Sequence, residues 1–346
     1  MASLTEVAGI ARKGIKWGAI ALVVVMLIPG AARLVKAIYT RLNPPPPPPP
    51  TVAYGKLPKL VFPAETNEAT PEFKLETIQG GLPGNLPNEG KVYLVSINKS
   101  RLFAEDRARD KAKLLGFTTN FVRVDDQVYK FVHQTEPAEM VVNSISGGFS
   151  YRLDWTQDKR VPTSHTVPVG NQAVSEAKSW LSSLGLLPAE LANGAGTFKY
   201  LVATGSAMVP TELFYEANFA RVDLFRGDKD ELKVRTAGGD TSPVAVIFSG
   251  LSGARRVVSA NYQFSQTNDN IFATYPLRGV QRAWTELTGG QGYIAKRAGQ
   301  NVTVRKASVA YYEASDPQAF LQPVYVFEGD AGFTAYVQAV ASEYVQ

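Results

Sequence analysis

The 346-residue chain has no cysteine and only two histidines, His133 and His165. No disulfide framework can hold it together and no thiol is available as a nucleophile. A zinc site would have to be built mainly from carboxylates, and no HExxH spacing offers a start. Neither a metal nor an organic cofactor is therefore expected. The net charge is +5, from 36 Lys+Arg against 31 Asp+Glu. Six of those bases (Arg12, Lys13, Lys16, Arg33, Lys36 and Arg41) and a single acid, Glu6, precede Pro44, leaving 30 of each sign in everything that follows. A neutral body argues against nucleic acid as a partner, because phosphate binding needs a basic face. A 45% apolar composition excludes a disordered chain, and one long apolar run is too few for a multi-span transporter.

That run is Trp17 to Ala32, sixteen residues without a charge. Extended by Leu34 to Tyr39, with Arg33 and Lys36 snorkelling, it reaches the ~20 residues needed to cross a bilayer. The expectation is a short cytoplasmic tail at 1–16 and a transmembrane helix at 17–39. Its anchoring residues would be Trp17, Ala19, Leu22, Val24, Met26, Ile28 and Tyr39, with Trp17 and Tyr39 at the two interfaces. A cleaved signal peptide is the competing reading, since Gly30-Ala31-Ala32 offers small residues for a cut; the basic residues that follow at once argue against it. Three bases stand on each side of the span, so charge alone leaves topology open. The short N-terminal tail and the large domain after it favour a body outside the cytoplasm.

Seven prolines, Pro44 to Pro50, follow. They read as a polyproline rod about 22 Å long, at ~3.1 Å per residue, within a linker spanning 40–60. A stiff spacer and a ligand for a proline-binding groove are both open readings.

The remainder repeats one order of elements three times: an amphipathic helix stopped by glycine, then β-rich segments. The units are expected at 61–160, 171–265 and 270–346. Their helices run Arg101 to Leu115 with Gly116 as stop, Asn171 to Leu184 with Asn171 as N-cap, and Leu277 to Leu287. The fold class is α+β, with helices segregated onto antiparallel sheets.

Chemistry is sparse. Ser175-Glu176-Ala177-Lys178 matches S-x-x-K without the companion motifs of acyl-serine enzymes, and reads as an exposed helix face. Phe248 to Gly253 reads as a strand connection, and Gly80-Gly81, Gly238-Gly239 and Gly289 to Gly292 as turns or helix stops. Asp125/Asp126, Asp223 and Asp228/Asp230/Glu231 read as solvated acidic turns, without a calcium-loop pattern. Phe214, Tyr215, Phe219, Tyr262 and Phe264 fit half-buried sheet positions better than a stacking platform. Strand addition at an open sheet edge is the expected mode of contact with a partner.

The C-terminal residues point further. Ala283-Trp284-Thr285-Glu286-Leu287, then Leu321-Gln322-Pro323-Val324-Tyr325-Val326-Phe327 and Phe333 to Val340, resemble the closing module of YycH/YycI-type and PepSY-like proteins. The resemblance covers about the last 75 residues and extends to the single membrane helix before the body. Its motif residues, Ala283, Trp284, Leu287, Leu321, Pro323, Tyr325 and Phe327, are structural ones. It implies a bacterial, membrane-anchored, extracytoplasmic regulator whose relatives bind an envelope sensor kinase, and it implies no catalytic residue. The proline rod and the three-unit layout depart from that family. The chain is thus read as a non-enzymatic binding or regulatory protein with the bilayer and a protein as partners. A structural subunit of a cell-envelope or secretion assembly is the alternative, and an envelope serine hydrolase a weaker one. Oligomeric state is not legible.

Overall fold

Strands in which apolar and polar residues alternate need a cover on one face only, and the body supplies it with helices laid on sheets. The computed structural model describes residues 49–64, 69–96, 102–118 and 121–346, with residues 16–18, 22, 33, 35, 36 and 39. The chain divides into two units, Met1–Pro49 and Pro50–Gln346. In the first, Trp17, Leu22 and Tyr39 are helical and exposed. Ala19, Val24, Met26 and Ile28 of the expected span, and Pro44 to Pro48 of the rod, lie outside the described residues. Among the described residues, no helix is long and apolar enough to cross a membrane.

The second unit is mixed α+β, mostly sheet. It begins with β1 (Glu72–Leu75) and β2 (Glu89–Val95), then α1 (Ala104–Lys113), β3 (Phe121–Arg123), β4 (Val128–Val132), β5 (Ala138–Asn143) and β6 (Phe149–Leu153). Helix α2 (Asn171–Ser183) and the single turn α3 (Ala189–Ala192) precede β7 (Gly196–Thr204), β8 (Ala207–Thr211) and β9 (Phe219–Leu224). Next are β10 (Val234–Thr236), β11 (Val244–Ser249), β12 (Val257–Tyr262) and β13 (Thr267–Pro276). The chain closes with α4 (Val280–Thr288), β14 (Tyr293–Lys296), β15 (Asn301–Glu313), β16 (Phe320–Gly329) and β17 (Thr334–Gln338).

These strands form two sheets. Nine antiparallel strands run in the order β3-β4-β5-β6-β12-β11-β9-β7-β8. The β6–β12 pairing, with Tyr151 opposite Ala260, merges the first two helix-plus-strand sets into one continuous surface. The eight-stranded sheet runs β1-β15-β16-β17-β14, with β10 on β15, β2 on β16 and β13 on β2. Residues 72–95, expected to open the first unit, and β10, expected within the second, therefore belong to the sheet of the third. Neither β1 nor β10 has a partner near in sequence; each lies parallel along β15. Buried Val92, Tyr93 and Val95 make β2 apolar on both faces: Val92 packs with Leu57, Tyr275 and Val340, and Tyr93 and Val95 pack with Val234 and Tyr311.

Other expectations shift locally. Gly170, at φ 54°, stands at the α2 N-cap and Asn171 is the first helical residue. Phe214 and Tyr215 are not sheet residues: they lie in a 3₁₀ turn, Phe214–Glu216, that precedes β9. Asn218 pins that bend, accepting from the Ala203 N–H (2.9 Å) and donating to the Pro162 carbonyl (2.8 Å). Asp223 lies buried within β9, gripped at 2.8 Å by both arms of Arg221, and is no turn residue. The stretch after the prolines is not a free linker either. Val52 N–H donates to Thr274 O at 3.0 Å, Leu57 pairs with Val345, and Phe62 stacks on Tyr293 at 4.9 Å. Leu57 and Leu60 are buried, so residues 51–62 form a strap built into the eight-stranded sheet. The edges of the nine-stranded sheet offer little to an added strand, since β3 has three residues and Pro210 in β8 lacks an N–H.

Candidate binding cleft between two helices

Both longer N-terminal helices face the sheet with small residues, Ala104, Ala108 and Ala112 on α1 and Ala173 and Ala177 with Leu181 on α2. Alanine at i, i+4 lets a helix lie close to its strands. Helix α1 sits over β4 and β5, and α2 over β7 and β9. Between them, among the described residues, the middle of the sheet carries no helix, and a cleft of about 580 Å³ opens there. Ala138, Tyr151, Phe248 and Val257 floor it; Leu114 and Leu115 form one wall, and Ser179, Trp180 and Leu184 the other. Each helix ends at the cleft on a glycine with positive φ, Gly116 (81°) and Gly185 (68°), which the reversal demands.

The rim is charged but balanced. Arg256 forms a two-pronged pair with Glu176 (2.6 and 2.7 Å), and Arg255 reaches Glu136 at 2.9 Å and Asp158 at 3.0 Å. Tyr151 projects among them, its hydroxyl pushed up to about 12 by burial and then by Glu136. His133 lines the same space.

A second polar cluster sits where the two sheets meet. Arg226, 6% exposed, donates to Glu313 of β15 (2.6 and 3.0 Å), to Glu190 of α3 (2.6 Å) and to Ser265 O (2.7 Å). The Phe264 ring lies 4.1 Å from its guanidinium. Buried Lys229 binds Glu190 (3.1 Å), Thr267 (2.6 Å) and Asp269, its ammonium 4.6 Å over the Tyr93 ring. Asp230 accepts from Tyr93, from Tyr311 (3.1 Å) and from Lys91 (3.0 Å). It does so from a turn in which both Asp230 and Glu231 have positive φ, 50° and 64°. Lys229 thus ties the sheets from within this turn, while Asp228, Asp230 and Glu231 stay exposed, as expected of an acidic turn. Burial alone would raise the Glu190 carboxyl, but Arg226, Thr267 and Lys229 outweigh it and hold it below its usual value. Burial does raise Glu313, against the pull of Arg226. The backbone closes tightly beside this cluster: a Cβ on Gly194 would come within 1.7 Å of Phe225 O. Gly194→Ala is expected to cost about 1–3 kcal/mol in urea unfolding, as overpacking against backbone does.

The residues singled out by sequence are distributed as follows. Ser175 donates to Asn171 O (3.2 Å), while Lys178 donates to Ala192 O and Gly194 O (2.8 and 2.9 Å), so no serine–lysine pair forms. Among the described residues no group of three His, Asp or Glu could hold a metal. Asp125 accepts the Gln127 and Val128 N–H groups and closes the β3–β4 hairpin. Phe219, Tyr262 and Phe264 are core, whereas Phe214 and Tyr215 are exposed on the turn before β9. Ala283 and Leu287 are buried on α4, and Leu321, Pro323, Tyr325 and Phe327 on β16. Trp284, half-buried, meets Phe327 at 5.6 Å and Phe73 at 6.0 Å. No motif in the sequence marks the cleft, whose lining runs from Leu114 to Val257; the two alanine stripes are its nearest signal.

No family model and no curated protein sequence matches the chain. Among solved structures it is similar to an uncharacterized protein from Eubacterium rectale, with a TM-score of 0.37 and 10% identity over 72% of this chain and 82% of that one. It is also similar to the C-terminal domain of Bacillus megaterium YpeB, with a TM-score of 0.32 and 14% identity over 71% of this chain and 95% of that one.

Proposed function

We propose that the chain is a membrane-anchored binding and regulatory protein whose body lies outside the cytoplasm and acts through protein–protein contacts. The cleft between α1 and α2 is the observation that carries this reading. It is an open concave surface with an apolar floor and a charge-balanced rim, the character of a recognition site. On this reading the body is three PepSY/YycI-like units, the first two merged along β6 and β12 and the third enlarged by β1, β2, β10 and β13. The apolar run at 17–39 tethers it, and a membrane sensor kinase is the partner the sequence resemblance suggests.

A photo-crosslinking side chain at position 179 of the full-length chain, irradiated in its native membrane, should yield one discrete adduct. The same group at exposed Thr163 should not. Equal labelling at both positions removes the cleft as recognition surface. Protection of the body from protease added outside intact cells would overturn its placement. A body that self-associates stably at micromolar concentration, with only its own copies in the adduct, would favour an envelope scaffold over a regulator.

A further inference from the structure

Among the described residues, two donors without an acceptor in the protein line the cleft, and they narrow what it takes. Phe117, 1% exposed, is the hub: the His133 ring meets it edge-on at 5.2 Å and the Tyr151 ring at 6.1 Å. The His133 Nδ1 accepts the backbone N–H groups of Thr135 (3.3 Å) and Glu136 (3.1 Å), so the ring proton sits on Nε2. That Nε2 lies beside the helix-ending glycine, 3.4 Å from where a Gly116 Cβ would be. Among the described residues neither His133 Nε2 nor the Tyr151 hydroxyl donates to an acceptor of the protein. The Tyr151 hydroxyl, pushed up to about 12, keeps its proton at physiological pH.

Charge excludes the other candidates. Both arginines of the rim already face carboxylates, Arg255 with Glu136 and Arg256 with Glu176. An entering carboxylate would meet two acids and no unpaired cation, whereas an entering ammonium would meet acids whose pairing it must break. A neutral carbonyl meets two ready donors, and an extended peptide presents a carbonyl every ~3.3 Å along its length. Resting on the cleft as the recognition surface, we propose that it takes an uncharged, apolar peptide segment of a protein partner. Backbone carbonyls of that segment accept from Tyr151 and His133, and a large apolar side chain lies between Leu115 and Trp180.

The test titrates the full-length chain, in detergent micelles, into a dye-labelled capped peptide, acetyl-Ala-Leu-Phe-Leu-Ala-amide, and reads anisotropy. Saturable binding is expected. It should weaken about tenfold in Tyr151→Phe, which removes only the hydroxyl, and vanish in Ser179→Trp, which fills the cleft; both variants should keep the parent melting temperature. Decanoate displacing the peptide at lower concentration than an unlabelled capped copy would overturn the peptide in favour of an acyl carboxylate. Equal binding by the parent and Tyr151→Phe would overturn the carbonyl contact. Absent peptide binding with position-179 adducts still forming in membranes sinks this ligand class alone. Absence of those adducts sinks the proposed function as well.

Discussion

Arg226→Met is expected to destabilise the body by about 3–5 kcal/mol, the usual cost of removing one partner from a buried ion pair. Methionine nearly matches the volume of the arginine stem, so cavity formation contributes little. What remains is Glu313, fully enclosed, and Glu190, which loses one of its two cations. Urea unfolding followed by circular dichroism measures the loss, and a change below about 1 kcal/mol would show the pair to be dispensable. A second signature separates charge from packing. The Glu313 carboxyl, already raised by burial in the parent, loses in the variant the guanidinium that opposed that rise and is raised further. Stability then rises as pH falls through that raised value, and the deficit against the parent narrows on acidification. Adding Glu313→Gln should recover much of the loss at neutral pH, since no buried carboxylate is then left unpaired at that position.

The strap should matter comparably. A body begun at Val61, where composition alone would start the first unit, is expected to be several kcal/mol less stable than one begun at Pro50. The difference is the loss of Leu57 and Leu60, each of which packs at least nine-tenths buried against the eight-stranded sheet. Truncating one buried leucine to alanine typically costs about 2–5 kcal/mol. Deleting the segment also frees Tyr344 O and the Gln346 N–H, which Leu57 engages at 2.8 and 2.9 Å. Leu57→Ala in the full-length chain isolates the packing part. Thermal melting of the three proteins decides the matter: equal midpoints for the bodies begun at Pro50 and Val61 would return residues 51–60 to the status of a linker.

Much of the local architecture was legible. Helices α1, α2 and α4 fall where apolar periodicity and glycine stops place them, within about three residues, because both signals act within a turn. β-rich segments follow each helix, as expected, and in β4 and β5 buried residues alternate with less buried ones. What escaped were elements whose own residues carry no signal. Strand β13 contains Asn268-Asp269-Asn270, a poor strand sequence that falls in the break of its register with β2, between Thr267 and Phe272. Strand β8 contains a proline, and β14 is four residues long. The polar cluster escaped for a related reason. Asp228 to Glu231 looks like any acidic turn until Tyr93, Tyr311 and Lys91, brought from β2 and β15, are seen to converge on Asp230.

The division is physical. Charge segregation between residues 1–43 and the rest, the absence of thiols, the helix stops and the α+β class are properties of composition and of spacing within a few residues, and the sequence by itself determined them. Which strands share a sheet, which charges meet in the interior, and that two helices stand apart over one surface and leave a cleft are set by pairing between segments that are distant along the chain. Such pairing is chosen by the joint burial of many weak partners, and only the tertiary structure decided it.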